Sequence, residues 1–438
     1  MDAGRVDNFR ARRRRFMDAI APGATAILPG APVAIRSGDV EFVYRQDSDF
    51  YYLTGFAEPE SIALLAPGHP GGEFVLFVRP RDRERETWTG RRAGVEGAIA
   101  DYGADKAYVV DEFEQIVPRY LEKSERVHFP LGVNEQIEAR TMKLVRAAQA
   151  MRPRTGAGPS TIADPREIVH EMRLFKEPYE LELMRRAMAI SAEAHRRAMR
   201  TARGGMMEWQ IEAEVDYVFR KNGAAGPSYP SIIASGPNAA TLHYIDNDRK
   251  MRTGELMLID AGAEYDFYAA DITRTWPVGA KFTGARRAIY EIVLEAQLKG
   301  IAAVKPGACH EDPHEAALAV LVDGMRRLGL LKGSAEEIIE RGDYRRFYMH
   351  RTSHWLGMDV HDVGLYVIDG KPRLLEPGMV LTVEPGLYIA PGDAAAPEEM
   401  RGIGVRIEDD VLVTETGHEV MTAATPKSIE EIEALTVA

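Results

Sequence analysis

A chain of 438 residues is too long for one ordinary core, so two domains are expected. Its composition, 45% hydrophobic and 28% charged, excludes a disordered protein. A formal net charge of −12 and a sequence pI of about 5.5 exclude a nucleic-acid binder that needs a broad basic face. The one cysteine, Cys309, leaves no intrachain disulfide and no thiolate zinc cluster, which fits a reducing compartment. No run of about eighteen apolar residues suggests a membrane span. The N-terminus lacks the apolar stretch of a secretory signal, so the expected location is the cytoplasm.

Residues 1–165 read as alternating helix and strand. A first helix over 6–20 carries Phe9, Phe16 and Ile20 on one stripe. Its basic run, Arg10 and Arg12 to Arg15, is flanked by Asp2, Asp7 and Asp18 and reads as a solvated helix face. Strand-like runs follow at 25–28, 61–65, 74–78, 108–110 and 127–129, with helices over 111–123 and 134–150. Pro118 marks a break or kink in the first of these helices. The alternation argues for a sheet with helices on its faces. No phosphate-cradling glycine fingerprint follows any strand.

The stretch 151–165 is rich in Pro, Gly and small polar residues, and the domain boundary is placed there. The result is an N-terminal α/β domain over 1–165 and a second domain over 166–438. Helices then dominate. One starts at Glu177-Pro178, and a second runs over 207–221 with Ile211, Val215, Val218 and Phe219 on one face. A third starts at Thr283 and repeats Ile289, Ile292, Val293 and Ala296, and a fourth covers 314–328.

Among these helices the sequence nearly repeats itself. Gly254-Glu-Leu-Met-Leu-Ile-Asp260-Ala-Gly262 matches Gly378-Met-Val-Leu-Thr-Val-Glu384-Pro-Gly386 at an offset of 124 residues. A second acid follows each, Asp271 in one half and Glu408 in the other. The pattern predicts two pseudo-twofold halves with a site at their seam. A carboxylate ending an apolar strand is costly to bury unless a cation or hydrogen bonds compensate. Two at matching positions, with two more behind them, read as metal ligands.

The segment His350–Asp362 places three histidines and two aspartates within thirteen residues, in a chain with only eleven histidines. His354 is the expected ligand there. Gly357 and the mixed pattern favour a loop over a helix. Spacing alone leaves His243, in another polar loop-like stretch, undecided. One imidazole with four carboxylates suits Mn²⁺ first, then Co²⁺, Fe²⁺ or Zn²⁺. Two such ions ~3.5–4 Å apart would activate a shared water and hold a scissile carbonyl.

In this order the motifs resemble the Xaa-Pro aminopeptidases (aminopeptidase P) of the pita-bread metallopeptidase family, whose relatives are prolidase, methionine aminopeptidase and creatinase. The resemblance covers nearly the whole chain, including Ser48-Asp-Phe-Tyr-Tyr-Leu-Thr-Gly-Phe56 and Glu58-Pro59-Glu60. It implies a smaller α/β domain followed by an α+β pita-bread catalytic domain of curved sheet covered by helices. It also implies that Asp260, Asp271, His354, Glu384 and Glu408 hold two metal ions, with Asp271 and Glu408 bridging. Glu384 would double as general base, and His361 would bond the substrate carbonyl. His243 would contact substrate near the scissile nitrogen, and His350 would line the pocket for proline and the residues beyond it. Arg406, two residues before Glu408, would orient the ligands.

The implied substrates are peptides with proline second, and the implied assembly is a homodimer or homotetramer. Trp88 resembles a tryptophan that reaches a neighbouring subunit's site, with a core tryptophan as the alternative. Prolidase, which carries the same ligands but takes Xaa-Pro dipeptides, is the nearest rival. A catalytically inactive interaction protein on the same fold is the rival of another class, and the complete ligand set argues against it.

Overall fold

The computed structural model describes residues 3–20 and 22–436, which form two compact units, Met1–Met172 and Arg173–Ala438. In the first unit, α1 (Ala3–Ile20) buries the stripe of Phe9, Phe16 and Ile20. Its basic run is not one solvated face. Arg10, Arg14 and Arg15 are exposed, but Arg12 and Arg13 are only 1% and 2% exposed. Their guanidinium groups lie 4.2 Å from the Tyr52 ring centroid and 3.9 Å from that of Phe74. Aromatic faces, and for Arg13 the Leu53 carbonyl at 3.1 Å, replace the lost water. Burial still pulls Arg13 down to about 10.

Six strands follow: β1 (Ala24–Pro29), β2 (Ile62–Leu65), β3 (Phe74–Val78), β4 (Lys106–Val109), β5 (Arg126–His128) and β6 (Thr161–Ala163). They make one mixed sheet in the order β4-β3-β2-β1-β5-β6, antiparallel from β3 to β1 and parallel at both flanks. On it α2 (Phe113–Leu121) buries Phe113, Ile116, Val117, Tyr120 and Leu121 against Ile27, Leu64, Val75 and Phe77. This helix runs on through Pro118, because buried residues on both sides of the proline hold its turns. α3 (Glu135–Thr155) is capped by Asn134, which accepts from the Ile137 N–H at 3.2 Å. Residues 151–155 are therefore helical, and β6 pairs with β5 beyond them. Composition marked 151–165 as a connector, but strand pairing uses the main chain, which composition does not report. Trp88, on a helix at Arg83–Thr89, is 85% exposed, so it is not a core residue.

The second unit contains α4 (Pro178–Thr201), α5 (Glu208–Lys221), α6 (Gly284–Ala303) and α7 (Asp312–Arg327). The predicted faces of α5 and α6 are buried in a common core. Strands β7 (Ile232–Ser235), β8 (Leu256–Asp260) and β9 (Thr273–Pro277) form an antiparallel sheet in that order. Five more follow: β10 (Val380–Val383), β11 (Gly386–Tyr388), β12 (Gly404–Arg406), β13 (Asp409–Val413) and β14 (His418–Val420). They form a second antiparallel sheet, β10-β13-β14, and a β11-β12 pair.

The near-repeat thus becomes two equivalent hairpin-like pairs, β8–β9 and β10–β13. Its turn glycines both need the left-handed region, with φ of +85° at Gly254 and +93° at Gly378. Its second glycines both admit close main chain. A Cβ at Gly262 would stand 1.7 Å from the Ala270 carbonyl oxygen, and one at Gly386 2.8 Å from that of Val405. Among the described residues no helix is long and apolar enough to cross a membrane.

His195 on α4 is fully buried, and its Nε2–H donates to the Ala261 carbonyl at 3.0 Å. Burial lowers its pKa to about 4. Below the ordinary value of about 6.5 the unfolded chain takes up a proton that the folded chain refuses. The contribution is present above that value and declines toward pH 4, by about 1.4 kcal/mol per pH unit. Urea unfolding at pH 7 and pH 5 should show His195→Gln losing about 2 kcal/mol less over that interval than the unaltered protein. Equal losses would show that His195 does not titrate this way.

Candidate metal centre

The four carboxylates reach the seam from equivalent strand ends. Asp260 closes β8 opposite Thr273, and Asp271 lies two residues before β9. Glu384 follows β10, and Glu408 precedes β13. The Glu408 N–H donates to the Thr273 carbonyl at 3.1 Å, and Thr273 Oγ1 donates to Glu408 Oε2 at 2.6 Å, stitching one half to the other.

His354 arrives on an irregular segment, as expected, rather than on a helix. This segment lies along β10: the Thr382 N–H donates to the His354 carbonyl at 3.0 Å and that of Glu384 to the Thr352 carbonyl at 2.8 Å. A Cβ at Gly357 would stand 2.0 Å from Asp362 Oδ2, so only glycine fits beneath the loop. Asp362 itself anchors the loop, accepting from Arg173 at 2.5 Å and Lys176 at 3.0 Å within a buried cluster.

One donor atom each from Asp271, His354 and Glu408 lies within 4.8 Å of the others, an arrangement able to hold a metal ion. His354 Nε2 stands 3.4 Å from Asp271 Oδ2 and 3.6 Å from Glu384 Oε1. Its Nδ1–H donates to the Trp355 carbonyl at 3.0 Å, which turns Nε2 toward the acids. Asp260 is met by Arg406, whose Nη2 donates to Oδ2 at 2.6 Å. A cavity of about 520 Å³ is lined by Asp260, Asp271, His354, Glu384, Arg406 and Glu408, together with His243, His350 and His361. His361 packs edge-to-face on His354 with ring centroids 4.4 Å apart, and His350 bonds the Tyr388 hydroxyl at 2.8 Å.

The electrostatics describe a donor set in need of cations. Burial, then the charge of Asp260, pushes Asp271 up. Burial pushes Glu384 up to about 8, and burial with three neighbouring acids holds Glu408 well above the carboxylate range. Burial opposes a charged His354, but a hydrogen bond to Asp271 and the charge of Glu384 carry it to about 9. Only Asp260 is drawn down, since Arg406 and hydrogen bonds outweigh its burial. Four crowded carboxylates resist ionising together, and divalent ions remove that conflict. The residues present therefore fit such ions.

Sequence reasoning missed three partners. Tyr229 lies 2.6 Å from Asp260 Oδ1 and 2.5 Å from Asp271 Oδ1, and burial keeps its hydroxyl protonated. Thr273 accepts from Arg406 Nε at 3.1 Å, and Arg406 Nη1 donates to Tyr388 at 3.0 Å. A tyrosine in a Ser-Tyr-Pro turn carries no periodicity, so only the Asp-Ile-Thr-Arg-Thr motif could have drawn attention to Thr273.

Metallopeptidase family M24 matches residues 182–415, and the aminopeptidase P N-terminal domain matches residues 9–128. The Xaa-Pro aminopeptidase of Escherichia coli K12 is 46% identical over 98% of this chain and 97% of its own. The solved aminopeptidase PepP of Pseudomonas aeruginosa superposes with a TM-score of 0.96 at 49% identity, covering 98% of both chains. A zinc-substituted E. coli aminopeptidase P in complex with product gives 0.94 at 45% identity, again over 98% of both. The chain belongs to the M24 metallopeptidases and, within them, to the Xaa-Pro aminopeptidase group. Its catalytic domain has the pita-bread fold of that group, and its activity depends on a metal.

Proposed function

We propose that the chain releases the N-terminal residue from peptides with proline in second position. Asp260, Asp271, His354, Glu384 and Glu408 would hold two divalent ions. The observation that carries this reading is the convergence of Asp271, His354 and Glu408 donor atoms within 4.8 Å, with Glu384 beside them. Hard oxygen donors around one imidazole favour Mn²⁺, with Co²⁺, Fe²⁺ or Zn²⁺ as substitutes. When bound, the ions supply Lewis-acid activation of water and of the scissile carbonyl.

The protein's own groups do the rest. Glu384 takes the proton of the attacking water and passes it toward the leaving nitrogen. His361 donates to the substrate carbonyl as charge develops on its oxygen, and His243 stands by the scissile nitrogen. That nitrogen belongs to a tertiary amide with no N–H, and the ring holds φ near roughly −65°, so ordinary extended-chain recognition fails. His350 lines the space for the ring. Arg406 holds Asp260 and bonds Tyr388, fixing the first carboxylate in place. Trp88, exposed in a single chain, is proposed to complete a neighbouring subunit's site in a homodimer or homotetramer.

The test offers a Xaa-Pro-Yaa tripeptide and a Xaa-Pro dipeptide to protein stripped by chelator and restored with Mn²⁺. Faster tripeptide turnover, lost without metal, is expected. Preference for the dipeptide would make the chain a prolidase, and no release from either would remove the peptidase reading.

A further inference from the structure

Between β7 and β8 the chain makes an irregular excursion, 236–255, that carries His243. Its tip has little apolar burial to hold it, for Leu242 is half-buried and both His243 and Ile245 are exposed. Yet Leu242, His243 and Ile245 all line the cavity of the metal centre. A loop with so little packing moves unless something ties it down.

The tie is a single carboxylate. Glu208, the first residue of α5, is fully buried, and its side chain accepts from donors that all lie in the segment 235–249. Its Oε1 accepts from the Ser235 N–H at 2.6 Å and from the Ser235 hydroxyl at 2.7 Å. Its Oε2 accepts from the Tyr244 hydroxyl at 2.7 Å and from the Arg249 N–H at 2.9 Å. Asn238 Nδ2 stands 3.3 and 3.4 Å from the two oxygens. Burying a carboxylate is costly, and this shell of donors compensates it. Helix capping does not account for the arrangement, because the donors belong to the loop and not to the first turn of α5. Tyr244 is the neighbour of His243, so its bond to Glu208 fixes the course of the main chain at His243. The root of the loop has further supports. The Glu208 N–H donates to the Arg249 carbonyl at 3.0 Å, and Asn247 Oδ1 accepts from the Ile233 N–H at 2.9 Å. Losing the Tyr244 bond therefore loosens the tip and leaves the fold in place.

We propose that Glu208 is a positioning residue of the reaction, holding His243 in the cavity of the metal centre through Tyr244. The assignment rests on the aminopeptidase reading, which places His243 by the scissile nitrogen. The test is a double-mutant cycle, read as kcat/KM on a Xaa-Pro-Yaa tripeptide with Mn²⁺-restored protein. Glu208→Gln puts an N–H among donors. Tyr244→Phe removes one bond and keeps the ring, and it carries the test if the first variant fails to fold. Each change is expected to lower kcat/KM roughly tenfold. In a His243→Ala background the same changes should lower it no more than about twofold, since the group they act through has gone. A structural defect would cost the same in both backgrounds, so equal losses, or no loss in either, overturn the assignment. A second readout does not depend on turnover. In Zn²⁺-restored protein the imidazole resonance of His243, identified by its absence from His243→Ala, should shift in both variants while that of His354 holds. An unmoved His243 resonance also overturns the assignment. If the unaltered protein releases nothing, the aminopeptidase reading fails, and the resonance alone decides whether Glu208 places His243.

Discussion

Replacing Glu384 with glutamine is expected to lower kcat by roughly 10²–10⁴-fold, the usual contribution of a positioned general base. The change keeps the shape of the side chain and removes its ability to take a proton. The backbone here is held independently of the side chain, because the Glu384 N–H donates to the Thr352 carbonyl at 2.8 Å. The variant should therefore fold. In metal-stripped protein it should melt no lower than the parent, since burial pushes the Glu384 carboxyl up to about 8 and a neutral glutamine removes the cost of burying an ionisable group there. Turnover and thermal melting of metal-stripped and Mn²⁺-restored protein, measured together, separate the two effects. A variant with turnover within threefold of the parent would remove Glu384 from the mechanism.

Arg274→Ala should cost about 3–5 kcal/mol of stability, as expected when one partner of a buried ion pair is deleted. Arg274 and Asp409 are both fully buried, with Nη2 2.7 Å from Oδ1. Lys427 at 2.6 Å, Gln297 at 2.7 Å and Thr422 at 2.7 Å complete the shell around Asp409. Burial would raise Asp409, yet the charges of Arg274 and Lys427 keep it below its ordinary value. Arg274 also donates to the carbonyls of Glu408, Pro426 and Thr425, so it fixes main chain beside a proposed ligand. The loss should appear in urea unfolding, and metal affinity should weaken with it. Stability unchanged within 1 kcal/mol would show that Lys427 alone satisfies the aspartate.

Much of this architecture was legible because its rules are local. The face of Ile289, Ile292, Val293 and Ala296 follows from helical spacing, and the glycines of the near-repeat follow from main-chain needs visible at one position. Asp260 and Glu384 drew attention because an acid at the end of an apolar strand needs compensation. What stayed hidden depends on partners distant in sequence. Arg12 and Arg13 look solvated until Tyr52 and Phe74 are folded over them. Asp362 looks like part of the histidine cluster until Arg173 and Lys176 engage it, and with it the reason for Gly357 appears. Pro118 reads as a breaker because the buried stripe that carries the helix past it is a tertiary feature. Tyr229 sits between two acids for reasons that exist only once both strands are in place.

The two halves match in their strands and glycines but not in reach. Where the first half offers Asp260 and Asp271, the second offers Glu384 and Glu408, one methylene longer, and it alone adds an imidazole, that of His354, to the proposed donor set. A perfectly duplicated site would present identical faces on either side of its axis and could not tell one end of a peptide from the other. The unequal side chains break that degeneracy. They give a duplicated scaffold a direction, and reading a chain from one terminus requires a direction.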